Sequence, residues 1–127
     1  MTRRTLTWTA TAEAIAAFSG GGRTLPLENL HTDVEVARSI GFDDVVAQGI
    51  QQVAVVAADL RADVGPDWDR GGRVMAKFLS PVLPGMTVEY VISETEPGDG
   101  ERRRFSILGS VGDTPVLALD AVVAAAG

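Results

Sequence analysis

The longest apolar segment of the chain runs from Ile50 to Ala62, and it constrains the fold more than any other stretch. Apolar residues occur almost all the way around a helix of this sequence, so the pattern predicts a helix that is buried on most of its faces. Gly49 precedes the segment. A glycine at that position lets a ligand approach the free N–H groups of the first helical turn.

The second half of the chain has the pattern of β-strands. After Gly72 the residues alternate in polarity or run apolar between short turns, which indicates meander-like antiparallel connections. The predicted strands cover residues 73–79, 86–95, 101–111 and 115–124. Together with the helical first half they indicate an α+β fold, in which a curved antiparallel sheet wraps around the buried helix at about residues 50–62. The length of the chain fits one domain over residues 1–127.

The start of the chain predicts two further elements. Residues 4–9 alternate loosely and favour an opening strand, with Leu6 and Trp8 on a common face. An alanine-rich helix follows through about Phe18. One of the threonines before this helix caps it, and a run of glycines ends it.

His31 is the only histidine, and it lies just before a second helix signal. Thr32 and Glu35 have the spacing of a capping box, which predicts a short helix that Gly41 ends. Asp33 falls in the first turn, where the helix dipole stabilises a carboxylate. An imidazole is the side chain that most readily transfers protons near neutral pH, so His31 is the first candidate for proton chemistry.

Composition excludes several classes of site. The chain has no cysteine and one histidine, so we expect no thiol nucleophile, no disulfide, no metal site and no cofactor. The net charge of −6 argues against binding to nucleic acid or to an anionic membrane. No apolar stretch is long enough to span a bilayer, and the first residues lack a signal peptide, so we expect a cytoplasmic protein.

The densest basic run is Arg102 to Arg104. We interpret it as a solvated strand edge, where charge discourages association between sheets. The alternative is a docking point for an acidic carrier protein or a phosphate.

Two motifs resemble those of the MaoC-like family of (R)-specific enoyl hydratases and dehydratases, which have the hotdog fold. The first motif is similar to the family's hydratase motif and its Ala-His-Gly-Met helix start, and it comprises Asn29-Leu30-His31-Thr32-Asp33, Ala37, Gly41-Phe42 and Val46-Ala47-Gln48-Gly49-Ile50. The second is similar to the family's Arg-Phe-x-x-Pro-Val-x-Pro-Gly-Asp-Thr-Leu strand and turn, and it comprises Lys77-Phe78-Leu79-Ser80-Pro81-Val82-Leu83-Pro84-Gly85-Met86-Thr87-Val88. The resemblance extends from about Leu6 to Val123.

This resemblance implies a hotdog fold and an activity on acyl groups held as thioesters. The carrier would be coenzyme A or an acyl carrier protein, as in polyketide-type or fatty-acid-type metabolism, and water would be added or removed across the 2,3-bond. Family members pair their sheets into dimers, often with active sites between subunits. We therefore expect a homodimer, or a heterodimer with another hotdog chain.

The chemistry of dehydration assigns roles to individual residues. A base must take the α-proton, an acid must protonate the leaving hydroxyl, and donors must stabilise the charge on the thioester oxygen. His31 can serve the first two needs, and the N–H groups near Gly49 and Ile50 can supply the donors. Asn29 and Gln48, which stands where the family usually has a histidine, are further candidates for substrate binding.

The sequence departs from the family at one position. The family's catalytic aspartate comes five residues before the histidine, and Pro26 stands there in this chain. Glu28 and Asp33 are the candidate replacement carboxylates. Three hypotheses remain open: a dehydratase or hydratase that uses His31 with one of these carboxylates, a thioester isomerase or cyclase that needs only the histidine, and a non-catalytic hotdog subunit that stabilises a catalytic partner.

Overall fold

A computed structural model describes residues 2–20 and 29–126 of the protein. The elements in chain order are β1 (Arg3–Thr9), α1 (Ala12–Gly20), α2 (Val34–Ser39), α3 (Gly49–Val64), α4 (Asp67–Gly71), β2 (Gly72–Phe78), β3 (Thr87–Thr95), β4 (Glu101–Val111) and β5 (Thr114–Ala124). These strands form one antiparallel sheet in the order β1-β3-β4-β5-β2.

The core lies between α3 and one face of the sheet. Alternate residues of the strands point toward the helix, so that Tyr90, Phe105 and Leu119 are buried while their neighbours along each strand face outward. The helix contributes Val56 and Leu60, both fully buried. Each large apolar side chain buried in this way contributes roughly 1.5–3 kcal/mol. The expected α+β hotdog arrangement, a sheet around a long helix, is confirmed.

Helix α3 is less buried than its composition predicts. A single stripe that includes Val53, Val56 and Leu60 packs on the sheet, while Ile50 remains 55% exposed. The expectation of burial on most faces is therefore wrong for the single chain. Two polar residues, Gln51 and Gln52, are buried in the first turns instead.

The connections of the sheet differ from a simple meander. Strands β3, β4 and β5 follow one another as expected, but β2 pairs with β5, and β3 pairs with β1 at the other edge. The segment between β2 and β3 therefore crosses the sheet. It is fixed to the end of β1 by hydrogen bonds from Ala10 N to Met86 O, 2.8 Å, and from Gly85 N to Ala10 O, 2.7 Å.

The helices before and after α3 agree with the sequence in outline. Thr11 caps α1 by accepting a hydrogen bond from Ala14 N at 3.0 Å. Helix α2 forms where the capping signal lies, but its N-cap residue is Asp33 rather than Thr32. Helix α4 is an element that the sequence did not predict.

The basic run Arg102 to Arg104 lies in β4, an inner strand of the sheet, but only Arg104 of the three is paired with β3, so the other two extend past the end of that strand. The three guanidinium groups are ion-paired, with Arg102 on Asp67, Arg103 on Asp63 and Glu94, and Arg104 on Glu101. These pairs join β4 to α3, α4 and β3. The run is therefore a set of links between elements rather than a free basic patch.

Over residues 2–20 and 29–126, no helix combines the length and the apolar character that crossing a bilayer requires.

Candidate functional site

A cleft of about 320 Å³ opens beside the N-terminal end of α3. One wall is the segment that leads into the helix, with Val46, Ala47 and Gly49, and the opposite wall is the end of β2 and the residues after it, beginning at Phe78. Gln52 also lines the cleft. The two sequence motifs thus lie on opposite sides of one cavity.

Gly49 allows the close approach of an aromatic ring to the start of α3. A Cβ atom at this position would lie 2.6 Å from the Phe78 ring, which is much closer than real side-chain contacts. The ring therefore packs directly on the helix backbone. Since Phe78 is 55% exposed, it forms part of the rim of the cleft as well as its wall.

The first two backbone N–H groups of α3 are available as hydrogen-bond donors, and we call them the open N–H groups. Gln48 occupies the N-cap position, but its side chain makes no capping hydrogen bond. In the parts of the chain that the structure describes, neither Gly49 N–H nor Ile50 N–H has a hydrogen-bond partner, whereas Gln51 N donates to Gln48 O at 3.0 Å. Two unpaired donors at the positive end of a helix dipole therefore lie beside the cleft.

His31 is held against the same segment. Its Nδ1 lies 2.6 Å from the carbonyl oxygen of Val46, a residue of the cleft wall, and the Val46 amide donates to Leu30 O at 3.0 Å. A carbonyl oxygen can only accept, so Nδ1 carries the proton. The neutral imidazole then has its lone pair on Nε2, the nitrogen a proton-transfer reaction needs.

The residues around His31 fix its backbone. The Asn29 side-chain oxygen accepts a hydrogen bond from His31 N at 2.8 Å. The Asp33 carboxylate accepts from Glu35 N at 2.9 Å and from Val36 N at 3.5 Å, so it caps α2. Asn29 therefore supports the histidine directly, and Asp33 supports the helix that follows.

No carboxylate within the described ranges is hydrogen bonded to His31. Glu28, a candidate replacement carboxylate, lies outside those ranges. So does Pro26, which stands at the position of the family's catalytic aspartate.

The side chains of Gln48 and Ile50, the other two residues expected to bind substrate, do not line the cleft. The Gln48 amide donates to Ser19 Oγ at 3.0 Å and so connects the end of α1 to the start of α3. Ile50 points outward.

Sequence reasoning missed a polar pair below the cleft. The Tyr90 hydroxyl, on β3, donates to Gln52 Oε1 at 3.0 Å, and both side chains are buried. Burial raises the pKa of Tyr90 above its usual range, so the hydroxyl stays protonated and remains a donor. The available signal was the pair of adjacent glutamines at 51 and 52 in the otherwise apolar first half of α3.

Across the described residues no three His, Cys, Asp or Glu side chains are grouped so as to hold a metal ion.

Chains of known structure share this fold over nearly the whole length of the protein. The R-hydratase PhaJ1 from Pseudomonas aeruginosa has 18% sequence identity and a TM-score of 0.76, with 98% of this chain and 79% of that chain covered. The (R)-hydratase from A. caviae involved in PHA biosynthesis has 18% identity and a TM-score of 0.77, with 98% and 95% covered. The ChsH1-ChsH2 complex from Mycobacterium tuberculosis has 14% identity and a TM-score of 0.80, with 98% and 96% covered.

The family follows from the sequence itself. The model described as MaoC like domain matches residues 2–113, and the chain belongs to this family. No curated protein matches the chain significantly.

Proposed function

We propose that this protein adds or removes water across the 2,3-bond of an acyl thioester carried on coenzyme A or on an acyl carrier protein. One observation carries the proposal: residues 46–50 form one short segment that contains both the open N–H groups of Gly49 and Ile50 and the Val46 carbonyl that holds His31, and Val46, Ala47 and Gly49 of this segment line the cleft. Donors for a thioester oxygen and a proton-transfer group are the two requirements of this chemistry.

The geometry supports a mechanism with one acid–base group. With the thioester oxygen at the Gly49 and Ile50 amides, His31 Nε2 takes the proton from carbon 2, and the negative charge moves to that oxygen. The bond from carbon 3 to its hydroxyl then breaks as the 2,3 double bond forms. The proton on Nε2 passes to the departing hydroxyl, water leaves, and His31 returns to its neutral form. Hydration is the same sequence in reverse.

The Val46 carbonyl contributes to this mechanism by supporting both forms of the imidazole. It fixes the ring with Nε2 available, and it accepts from Nδ1–H more strongly when the ring is positively charged. A carboxylate does the same more strongly. Glu28, three residues before His31 in the sequence, is the proposed carboxylate partner of the histidine, and His31 remains the single group that transfers protons. Asp33 would have to leave its position on the Glu35 amide to act on the histidine, so we propose that its main contribution is to the position of the site.

Similar proteins support the reaction class. The first two relatives described above are R-hydratases, and another chain with the same fold, at 16% identity and a TM-score of 0.72, belongs to the HadBC complex, a 3R-hydroxyacyl-ACP dehydratase. We propose the same type of substrate for this chain, in a cytoplasmic setting.

A partner subunit is part of the proposal. Strand β2 is an edge of the sheet, and the apolar side chains Val74, Met75 and Phe78 along it are 40%, 72% and 55% exposed. Such a row on an unpaired edge favours a second hotdog chain, and in a homodimer the same edge would meet itself. The partner would then also cover the open side of the cleft beside Phe78.

A second candidate function is that of a non-catalytic subunit. It is favoured by Pro26 at the position of the family's catalytic aspartate. Two relatives, ChsH1-ChsH2 and HadBC, are complexes of two chains. In this case the chain would stabilise a catalytic partner. An isomerase or cyclase in the same cleft would need His31 without a second carboxylate.

Incubation of the purified protein with 3-hydroxyacyl and 2-enoyl thioesters, on both carriers, tests the main proposal. We expect interconversion that falls about 10²–10⁴-fold in His31→Ala. The control is Ser39→Ala, on the exposed end of α2 and away from the cleft. Interconversion that survives His31→Ala contradicts the assignment of His31.

Oligomeric state separates the two candidate functions. A homodimer with its own turnover excludes the non-catalytic role. A chain that is inert alone, and that increases the activity or stability of a second hotdog chain, supports that role and contradicts the main proposal.

A further inference from the structure

Gln52 is a buried polar group in a cleft with largely apolar walls. It is 3% exposed, and it lines the cavity together with Val46, Ala47 and Phe78. It lies three residues after Gly49, so both side-chain positions are on the same side of α3 and are separated by about 4.5 Å along the helix axis. A ligand anchored at the Gly49 amide therefore passes close to Gln52.

The hydrogen bond to Tyr90 determines which end of the Gln52 amide is available. Its Oε1 accepts from the Tyr90 hydroxyl at 3.0 Å, and this is the only hydrogen bond of the Gln52 side chain among the residues that the structure describes. The Nε2 group, with two N–H donors, is thus left for a ligand. The neighbouring Gln51 differs: it donates to Ala14 O at 3.0 Å and does not line the cleft.

An acyl chain in this cleft meets one buried hydrogen-bonding side chain, Gln52, among mostly apolar contacts; Ser80, the other polar side chain of the lining, is only partly buried. A plain alkyl chain would cover the Gln52 donors without pairing them, which is costly for a buried polar group. A chain with an oxygen acceptor at the same place would pair them. Sites built around a buried hydrogen-bonding group discriminate strongly against analogues that lack the matching atom.

We infer that Gln52 selects acyl thioesters that carry a keto or hydroxyl oxygen beyond the reacting carbons, in preference to plain alkyl chains. The inference rests on the proposed function for the placement of the thioester at Gly49. Gln52 binds the chain and takes no part in proton transfer. Tyr90 acts through Gln52 as a positioning residue, because it holds the amide with its N–H groups toward the cleft.

The test uses pantetheine thioesters, because pantetheine is common to both carriers. Hydration is measured for hex-2-enoyl and 5-oxohex-2-enoyl pantetheine, and binding is measured by calorimetry for the saturated hexanoyl and 5-oxohexanoyl compounds. The wild-type protein is expected to prefer the oxo compound by about tenfold or more in both kcat/KM and affinity. Binding needs no turnover, so this readout remains valid if the proposed reaction is wrong.

The variants separate recognition from folding. Gln52→Leu with Tyr90→Phe replaces both partners of the buried hydrogen bond by apolar groups, so it avoids an unpaired group in the core. We expect this double variant to lose the preference and to accept the alkyl chain as well as the oxo chain. Gln51→Leu, which removes the adjacent buried glutamine outside the cleft, is the matched control and should keep the preference.

The outcomes distinguish the inference from the proposed function. Hydration of both compounds at equal rates, or a preference that persists in the double variant, overturns the inference and leaves the function in place. Tighter binding of the oxo compound that depends on Gln52, without hydration, supports the inference and contradicts the function. Equal binding of the two saturated compounds, or binding of neither, overturns the inference.

Discussion

Gly109 lies directly opposite Tyr90 in the β3–β4 ladder, and a Cβ atom on Gly109 would come within 2.7 Å of the Tyr90 ring. The Tyr90 ring therefore packs against Gly109, and its hydroxyl reaches Gln52. The relationship between Gly49 and Phe78 has nearly the same geometry, at 2.6 Å. The two rings differ in burial, since Tyr90 is fully buried and Phe78 is 55% exposed.

This difference predicts a large loss of stability for one glycine substitution and a small change for the other. Gly109→Ala should destabilise the protein by about 1–3 kcal/mol, because the buried ring cannot move aside without disturbing the core. Gly49→Ala should change the free energy of unfolding by less than about 1 kcal/mol, because the Phe78 ring can rotate into solvent and alanine is the better helix residue. Denaturant unfolding of both variants measures the difference, and equal losses would contradict it.

Gly49→Ala should nevertheless reduce activity. The displaced Phe78 ring would change the wall of the cleft, and the new methyl group would lie beside the open amides. We expect a loss of thioester turnover of at least about tenfold. The double variant Gly49→Ala/Phe78→Ala makes room for the new methyl group but still lacks the aromatic wall of the cleft. It should therefore fold normally and keep the reduced thioester turnover.

Asp33 is expected to act as a helix cap, and two substitutions distinguish this from proton transfer. Asp33→Ala removes the acceptor for Glu35 N and should cost about 0.5–2 kcal/mol. Asp33→Asn keeps a capping oxygen, so its stability and turnover should stay near those of the wild type. A stable Asp33→Asn protein that has lost turnover would instead identify Asp33 as a proton-transfer group.

Tyr90→Phe should destabilise the protein by about 1–3 kcal/mol, because it leaves Gln52 Oε1 buried without its donor. Adding Gln52→Leu removes the unpaired group and should recover part of this loss. A double-mutant cycle of unfolding free energies measures the coupling between the two residues. Strictly additive losses would show that the hydrogen bond does not contribute in solution.

Stability should depend on pH through Glu94. Hydrogen bonds from Arg103 lower the pKa of Glu94 below its ordinary value of 4.5. The unfolded chain therefore takes up this proton first as the pH falls. The stabilisation is fully present above about pH 4.5 and is lost as the pH falls through the lower pKa of the folded state.

Urea unfolding at about pH 6 and about pH 3.5 tests this contribution. Glu94→Gln should lose less stability than the wild type between the two conditions. The control is Glu96→Gln, two residues further on in an exposed position, where no ion pair to a described residue is found. It should keep the wild-type dependence, and identical behaviour of all three proteins would contradict the prediction.

The sequence predicts where the strands of the second half lie, but it does not predict which strands pair in the sheet. The alternation of residues in β3, β4 and β5 is local, so it is visible in the sequence. The pairing of β2 with β5 joins Gly72 to Val123, and no local pattern reports a contact over that distance. The cap of α2 differs by one residue for a related reason: Thr32 and Asp33 are both good caps, and only the backbone geometry decides between them.

The residues of the site divide in the same way into those that a local sequence pattern reveals and those that depend on contacts between distant segments. His31 and Gly49 could be found because they belong to motifs with fixed spacing. Gln52 could not, because its importance depends on Tyr90 and on the cleft wall from β2, which lie far away in the chain. The burial of α3 was overestimated because an apolar helix looks the same in sequence whether its own chain or a partner covers it. Ile50 is the residue that shows this most directly.

The position of β5 between β4 and the edge strand β2 has a consequence for synthesis. Strand β2 emerges from the ribosome before β3 and β4, yet its neighbour in the sheet is β5, the last strand to be made. At typical translation rates β2 waits roughly two to nine seconds for β5 to be completed, with its backbone edges and apolar side chains unprotected. The nascent chain is therefore expected to need chaperone protection until β5 is released, and ribosome-bound chains that stop before Thr114 should be the most aggregation-prone.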